Sequence, residues 1–382
     1  MRLLFYQHGN FLETLDHYAA GKPEYYRDQK VSVTFIQDLG QEHDVTVIAM
    51  CGEDYDVRHS GLRIIGMADR VGFDTAKATA LLAEVRPERL VTRGPHSPLL
   101  RAAARSRIPT LPCLADIFER GGLQQFVRLR RLRRLLQGPH IPCVANHSLN
   151  ASRALVTQMG LPGTKVVPWD WSRLPVAPEP KRAAGQPFRM VYAGGLREVK
   201  GVGDVMEAMA LADARGVKTA LTVAGRGDIG PWQEKADGLG IDFTYIGVVA
   251  HAEVGSLMAA SDAVLVPSRH NYPEGLPNTI YEGLAARSPV ILSDHPSFLG
   301  RLKDREEALF FEGGNPASLA EKIAALATDP ALYARLSENA PTAVEGLYVG
   351  MEWSDLVAQF LADPANDTGW VAPNSMTGLG LA

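Results

Sequence analysis

The sequence has little of several features that mark common classes of protein. It has three cysteines in 382 residues, none in a C-x-x-C pair, so neither a zinc site nor a disulfide framework is indicated. Reduced thiols fit the cytoplasm, which is the expected location. The formal net charge is −4, which argues against a nucleic-acid partner. No run of about 18 apolar residues is present, so no membrane-spanning helix is predicted.

What the sequence does have is an alternation of short apolar runs and amphipathic stretches. This rhythm predicts an α/β protein with parallel sheets covered by helices on both faces. It occurs twice, and the segment between the two series, residues 166–188, holds five prolines and no helical period. That segment is interpreted as a hinge or linker between two Rossmann-like domains that face each other across a cleft.

The predicted boundaries follow from these two series. An acceptor-binding domain covers residues 1–175, a linker 176–188, a nucleotide-binding domain 189–350, a helix that crosses back to the first domain 351–364, and a poorly ordered tail 365–382.

The second series contains a glycine loop with cations. In YAGGLREVKGVGD, a strand ends at Gly194 and Gly195, and Arg197 and Lys200 follow before a helix begins. Glycines let a backbone approach a phosphate, and a helix start offers free N–H groups. A glycine turn with two solvated cations is an equally good interpretation. Nearby, GRGDIG (225–230) matches G-x-G-x-x-G literally, but its position favours a plain turn over an NAD site.

The stretch YPEGLPNTIYEGLAA places two acids around a helix start. Pro277 suits a first helical turn, and the residues before it, Gly275 and Leu276, can present N–H groups to an anion. An acid near a helix start has a dipole explanation, which accounts for Glu274 but not for Glu282, a full turn too late. A carboxylate accepts two hydroxyl protons at once, so both acids are candidate ligands for sugar diols.

The same stretch resembles the Glu-x7-Glu signature of the family 4 retaining glycosyltransferases, which have a GT-B fold. Further segments resemble motifs of that family in the family's order. These segments are GGLREVKG for the phosphate loop, LTVAGRGD, FTYIGVV for the base-binding segment and LAARSPVILSD. The similarity covers roughly residues 189–326 and is weak before them.

The resemblance implies roles for individual residues. Lys200 would hold the donor diphosphate, Glu282 the ribose hydroxyls and Glu274 the transferred sugar. The pocket would be lined by Gly194, Gly195, Gly247, Val248, Gly275, Leu276 and Pro277. Sugar would be transferred with retention at the anomeric carbon and without a bound metal or other cofactor.

The sequence also departs from the family. The loop arginine of the family aligns with Gly195, and Arg197 lies two positions on. A histidine common in the first domain is absent, and Asp116 is named as the acceptor-side catalytic candidate; a helix-capping aspartate is an equal interpretation. The glycine pair after the last motif strand is replaced by HPS, residues 295–297.

The first domain carries a basic amphipathic helix in FVRLRRLRRLLQG, residues 126–138. Leucines recur at helical spacing between five arginines: Arg128, Arg130, Arg131, Arg133 and Arg134. Such a helix predicts contact with an anionic membrane surface or an anionic acceptor, against the alternative of a solvated face whose leucines pack on the sheet.

The predicted function is transfer of a sugar from a nucleotide-diphosphate sugar to a glycan or lipid-linked acceptor, in the synthesis of a cell-surface polysaccharide or glycolipid. The enzyme would lie in the cytoplasm, peripheral to the membrane. Two alternatives remain open at this point: another GT-B enzyme such as a nucleotide-sugar 2-epimerase, and a non-catalytic scaffold of the same fold.

Overall fold

The computed structural model describes residues 1–69, 71–118, 122–182 and 185–382. The chain forms two compact units. Unit 1 comprises residues 1–23, 28–172 and 349–382, and unit 2 comprises residues 24–27 and 173–348.

Unit 1 begins with strands and helices in alternation. Its strands are β1 (Arg2–His8), β2 (Asp44–Met50), β3 (Tyr55–His59), β4 (Leu62–Met67), β5 (Arg89–Arg93), β6 (Thr110–Leu114), β7 (Val144–His147) and β8 (Val166–Asp170). Its helices are α1 (Phe11–Ala19), α2 (Gln29–Glu42), α3 (Thr75–Val85), α4 (Ser97–Arg105), α5 (Leu123–Leu136) and α6 (Leu149–Thr157).

Unit 2 repeats the alternation. Its strands are β9 (Phe188–Ala193), β10 (Thr219–Ala224), β11 (Asp242–Gly247), β12 (Ala263–Val266), β13 (Val290–Ser293) and β14 (Leu309–Phe311). Its helices are α7 (Val202–Ala214), α8 (Gly230–Leu239), α9 (His251–Ala260), α10 (Asn278–Ala285), α11 (Pro316–Thr328) and α12 (Pro330–Leu347). The chain then returns to unit 1 with β15 (Met351–Glu352), α13 (Trp353–Ala362) and α14 (Val371–Asn374).

Both sheets are doubly wound. The order in unit 2 is β11-β10-β9-β12-β13-β14 and all pairs are parallel. In unit 1 the order is β15-β8-β7-β6-β5-β1-β2-β4-β3, with β3 antiparallel to β4. The strand order of unit 2 reverses between β9 and β12, and an open α/β sheet binds ligands beyond the carboxyl ends of the strands at such a point.

Each sheet is buried on both faces, as the apolar runs predict. Along β9, Met190 and Tyr192 pack in one apolar cluster and Val191 packs in the other. Because side chains of a strand alternate between faces, helices cover the sheet on both sides. Fully burying one such side chain contributes roughly 1.5–3 kcal/mol to the free energy of unfolding.

Two sequence expectations are wrong at the edges of unit 1. The prolines of residues 166–188 predict a hinge, but Val166–Asp170 are all buried in β8, which pairs with β7 and β15. The tail, 365–382, was expected to be poorly ordered, but Trp370 and Met376 are buried and the Met376 N–H donates to the Val166 carbonyl. Three apolar side chains in a polar segment are enough to anchor it on unit 1: Trp370, Val371 and Met376.

Candidate functional site

The two loops at the reversal point of unit 2 meet through an ion pair. Lys200 lies in the loop after β9 and Glu274 in the loop after β12, and Lys200 Nζ lies 2.5 Å from Glu274 Oε2. The two side chains are only 17% and 12% exposed. Ser268 Oγ donates to the same carboxylate oxygen at 2.7 Å. The fold therefore joins two residues 74 positions apart that the sequence singled out for different reasons.

The loop that carries Glu274 is hydrogen-bonded to residues that follow β13. Ser297 Oγ donates to the Glu274 carbonyl at 2.5 Å, and His295 Nε2 lies 3.0 Å from the Tyr272 carbonyl. Both His295 and Ser297 are buried. They are the HPS residues that stand where the resembling family carries a glycine pair, and their side-chain hydrogen bonds fix this loop. The sequence alone assigns no role to this replacement.

Tyr272 provides a shared surface for the two cations of the β9 loop. Lys200 Nζ lies 4.5 Å from the centre of its ring, and the Arg197 guanidinium carbon lies 5.6 Å from the same centre. Arg197 is exposed. The ring face attracts both cations, which concentrates positive charge beside Glu274.

A second network, which sequence reasoning missed, ties the β12 loop to the start of α7. Arg269 contacts Asp204 at 2.8 and 2.6 Å and Glu198 at 2.6 Å. The hydrogen bond to Asp204 raises the pKa of Arg269. Between these partners, Gly201 has φ +78°, and a Cβ there would lie 2.2 Å from the Pro267 carbonyl oxygen, so only glycine fits. The one signal in the sequence was an arginine three residues beyond the end of β12.

Helix α10 begins where the sequence predicts a helix start. Pro277 is its N-cap, one residue before the expected position, and Leu276 is buried in front of it. Thr279 Oγ1 donates to the Ala193 carbonyl at 3.1 Å, which joins α10 to the end of β9. The first amides of α10 have no helical carbonyl to bond, so this end of the helix attracts negative charge.

Glu282 lies within α10 and is 9% exposed. Its Oε1 lies 3.3 Å from His251 Nδ1, at the start of α9. A carboxylate that is this deeply buried is rarely found without a partner. The contact with His251 supplies one, and the sequence did not indicate it.

Glycine residues lie at the carboxyl ends of the neighbouring strands β9, β10 and β11, where the backbones approach closely. Gly225 has φ +146°, and a Cβ there would lie 1.8 Å from the Gly194 carbonyl oxygen. The Gly194 N–H donates to the Ala224 carbonyl, and the Gly225 N–H donates to the Gly247 carbonyl, at 2.9 and 2.8 Å. Gly225, the first glycine of GRGDIG, therefore permits the close packing of two loops. Val248, which follows Gly247, is 43% exposed.

The space around Gly195 would accept a side chain, in contrast to the space around Gly225. The nearest atoms to a Cβ at Gly195 are the Arg226 carbonyl oxygen at 3.9 Å and Arg197 Cδ at 4.0 Å. A larger side chain would fit here, at the position where the resembling family carries arginine.

The two candidates from the first half of the chain belong to unit 1. Asp116 is exposed and lies two residues beyond β6, not at its end, with its carbonyl accepting from Asn146 Nδ2 at 3.2 Å.

In α5 all five arginines are exposed, whereas Leu129, Leu132 and Leu136 are buried. Arg131 and Arg134 line a shallow concavity of about 450 Å³ together with Arg101 of α4. Among the described residues no helix has the length and apolar character to cross a membrane.

Comparison with known proteins finds a family model that matches a segment of unit 2. Residues 177–343 match the family of glycosyl transferases group 1. The chain is 29% identical over 154 residues to an alpha-D-kanosaminyltransferase of Streptomyces kanamyceticus, covering 40% of this chain and 39% of the relative. It is 28% identical over 141 residues to a phosphatidyl-myo-inositol mannosyltransferase of Mycobacterium leprae, covering 37% and 36%. The matched segment thus spans less than two fifths of the length of either curated relative.

The whole chain resembles solved structures in fold. The structure of Anabaena Alr3699/HepE in complex with UDP-glucose matches with a TM-score of 0.64 at 14% identity, covering 94% of this chain and 98% of that one. At this identity the likeness shows the fold, and it confirms the expected α/β class of GT-B type.

Proposed function

We propose that this chain, whose residues 177–343 match the family of glycosyl transferases group 1, is a retaining glycosyltransferase that uses a nucleotide-diphosphate sugar. The sugar would pass to a glycan or lipid-linked acceptor in the synthesis of a cell-surface polysaccharide or glycolipid. The observation that carries the proposal is the largely buried contact of Lys200 with Glu274 at the reversal point of unit 2. A ligand bound at that point meets a cation, a carboxylate and the start of α10 together.

The chemistry needs these groups in different roles. A bond forms between an acceptor oxygen and the anomeric carbon, the bond from that carbon to the diphosphate breaks, and the acceptor's proton is released. Negative charge builds on the leaving diphosphate, so the Lys200 ammonium, the Arg197 guanidinium and the first amides of α10 stabilise the transition state. Because these groups supply the positive charge, we propose that no resident metal or other cofactor is needed.

The two carboxylates bind neutral hydroxyl groups rather than phosphate. Glu274, held by Ser268 and Ser297, accepts hydrogen bonds from the sugar that is transferred. Glu282 accepts them from the ribose. The rest of the proposed donor site is formed by Gly194, Gly195, Gly247, Val248, Gly275, Leu276 and Pro277. The structural relative solved with UDP-glucose supports a donor of this class.

The acceptor side is proposed for unit 1. Asp116 follows β6, beside β5, and the strand order of unit 1 reverses between β5 and β1, so Asp116 lies near a point where α/β sheets bind ligands. We propose it as the group that accepts a proton or hydrogen bond from the acceptor hydroxyl. The relative named for phosphatidyl-myo-inositol supports a lipid-linked acceptor.

The exposed face of helix α5 supports a second proposed property of the protein, which is peripheral binding to an anionic membrane. Leu123, Val127, Arg130 and Arg134 follow helical spacing along one line of α5, opposite its buried leucines. Leu123 is 79% exposed and Val127 37%. Exposed apolar residues beside cations are the composition of a helix that lies in a membrane interface.

Transfer assays test the proposal directly. The protein is incubated with a panel of nucleotide-diphosphate sugars and with membranes as the source of acceptor, and the product is examined by NMR. We expect one donor class to give a glycoside with the anomeric configuration of the donor, at an unchanged rate in EDTA. Inversion, or loss of activity in EDTA restored by a divalent metal, would contradict the mechanism. Conversion of the donor to its 2-epimer without any acceptor would establish the epimerase instead.

A further inference from the structure

Four residues from the first half of the chain pack into unit 2. Residues 24–27 lie between α1 and α2 in sequence, yet they belong to the compact unit formed by residues 173–348. We call this segment, Glu24–Arg27, the strap. Nothing in the sequence pattern assigns it a role.

Arg27 anchors the strap to the helix that carries Glu282. Its side chain is 1% exposed, and its guanidinium carbon lies 4.8 Å from the ring centre of Tyr281 and 5.3 Å from that of Tyr348. Tyr281 directly precedes Glu282 in α10. Burial between two rings fixes the strap relative to α10, because a guanidinium is stabilised over aromatic faces.

Glu24 attaches the strap to the partner of Glu282. The His251 N–H donates to the Glu24 carbonyl at 2.5 Å, and the His251 side chain in turn contacts Glu282 at 3.3 Å. The strap, His251 and Glu282 therefore form one connected set of contacts, beginning one residue from Tyr25.

Tyr25 extends this set toward the ends of β10 and β11. The guanidinium carbon of Arg226 lies 5.5 Å from the Tyr25 ring centre, and Arg226 directly follows Gly225, whose N–H is bonded to the Gly247 carbonyl. Tyr25 is 38% exposed, so part of its ring remains open to a ligand. An aromatic ring and a guanidinium plane are the two surfaces on which proteins stack nucleobases.

We propose that Tyr25, paired with Arg226, forms the stacking surface for the base of the donor nucleotide, and that Arg27 is a positioning residue for it. The inference rests on the proposed function, since it takes Glu282 to hold the ribose. A ribose on Glu282 would lie beside His251, whose backbone N–H contacts the strap at Glu24. Tyr25 is the next residue of the strap, and Arg226 lies over its ring. The strap thus makes part of the donor site depend on a segment far away in sequence.

Binding measurements on the full chain test the strap. Dissociation constants for UDP, GDP, ADP and CDP are measured by calorimetry with the native protein, Tyr25→Ala and Tyr26→Ala. Tyr26 is the matched control, because it is the next residue and is 50% exposed. For the tightest ligand we expect Tyr25→Ala to weaken binding about tenfold, the scale of losing a stacked base, and Tyr26→Ala to change it less than twofold.

Pyrophosphate, which has no base, separates stacking from other effects. Its displacement of the bound nucleotide should give the same dissociation constant with the native protein and with Tyr25→Ala. Equal nucleotide affinity in native protein and Tyr25→Ala would overturn the strap inference and leave the proposed function standing. Equal losses in Tyr25→Ala and Tyr26→Ala, or an equal loss for pyrophosphate, would also overturn it. If the native protein binds no nucleoside diphosphate, the proposed function fails, and the strap inference with it.

Discussion

Charged side chains lie at helix α10 and on helix α5, but those at α10 are largely buried and paired whereas those on α5 are exposed. Glu282 of α10 is 9% exposed and contacts His251, and Glu274 just before the helix contacts Lys200 and Ser268. The arginines of α5 all lie on the exposed surface. Charge that is buried and paired acts through short contacts of fixed geometry, whereas exposed charge acts through a field that salt screens.

The difference sets what each helix can recognise. At α10 a ligand must match individual atoms, which suits a nucleotide sugar. At α5 the ligand needs only a density of negative charge, which suits a lipid surface. Single substitutions should therefore be severe at the first site and graded at the second.

The largest expected effect comes from breaking the ion pair of the donor site. Lys200→Ala removes a cation from the leaving diphosphate, and Glu274→Ala removes the proposed sugar ligand while leaving Lys200 without its carboxylate. We expect each to lower kcat for transfer by about 100-fold or more, the scale of losing one group that stabilises transition-state charge. Steady-state kinetics with the active donor measures this.

The matched control is a second lysine–glutamate pair in unit 2. Lys235 Nζ lies 2.6 Å from Glu207 Oε1, but these side chains are 31% and 47% exposed. Lys235→Ala should leave kcat within twofold of native. A similar loss in both lysine variants would mean that activity follows general charge or folding, and the site assignment would fall.

A medium effect is expected from reversing charge on α5. Arg130→Glu with Arg134→Glu should release the protein from vesicles that contain anionic lipid, because each cation near such a surface contributes about 1 kcal/mol. Co-sedimentation at low and high salt measures binding, and the native protein should also dissociate as salt rises.

The control is a double variant in unit 2 that changes the net charge of the protein by the same amount as the α5 variant. Arg182→Glu with Arg215→Glu alters two exposed residues of unit 2. This variant should bind vesicles like the native protein. Loss of binding in the control, or retention in the α5 variant, would show that α5 is only a solvated face.

The smallest effect is expected at Gly195, where a side chain has room. Gly195→Arg should place a second guanidinium near the proposed diphosphate and tighten nucleoside diphosphate binding severalfold, because arginine grips phosphate with a planar fork. Calorimetry with the ligand measures this, and thermal unfolding should show little change. Gly225→Ala is the contrasting variant, since its Cβ would meet the Gly194 carbonyl oxygen at 1.8 Å, and it should lower the unfolding temperature.

The sequence predicted the parts of the site that lie in local patterns. The helix start at Pro277, the glycine loop before Lys200 and the alternating strands all have short-range signals. Missed features depend on contacts between distant residues. The buried VVPWD run has the composition of a strand, but it belongs to a segment with five prolines, which indicates a linker. Its pairing with β7 and β15 depends on distant residues.

The same limit explains why the residues that support the Glu274 loop could not be predicted from the sequence. The sequence assigns no role to Ser268, His295 or Ser297. Only the fold brings Ser268 and Ser297 to Glu274, and His295 to the Tyr272 carbonyl. The strap is the extreme case, because Arg27 and Tyr281 lie 254 positions apart, as their numbers show. No periodicity can indicate a contact over such a separation.

A crystal structure with a bound nucleoside diphosphate tests the central claim most directly. The account predicts the diphosphate beside Lys200 and the start of α10, with the ribose hydroxyls within about 3.2 Å of the Glu282 carboxylate. A nucleotide bound elsewhere, or one bound here with Glu282 contacting only His251, would contradict it.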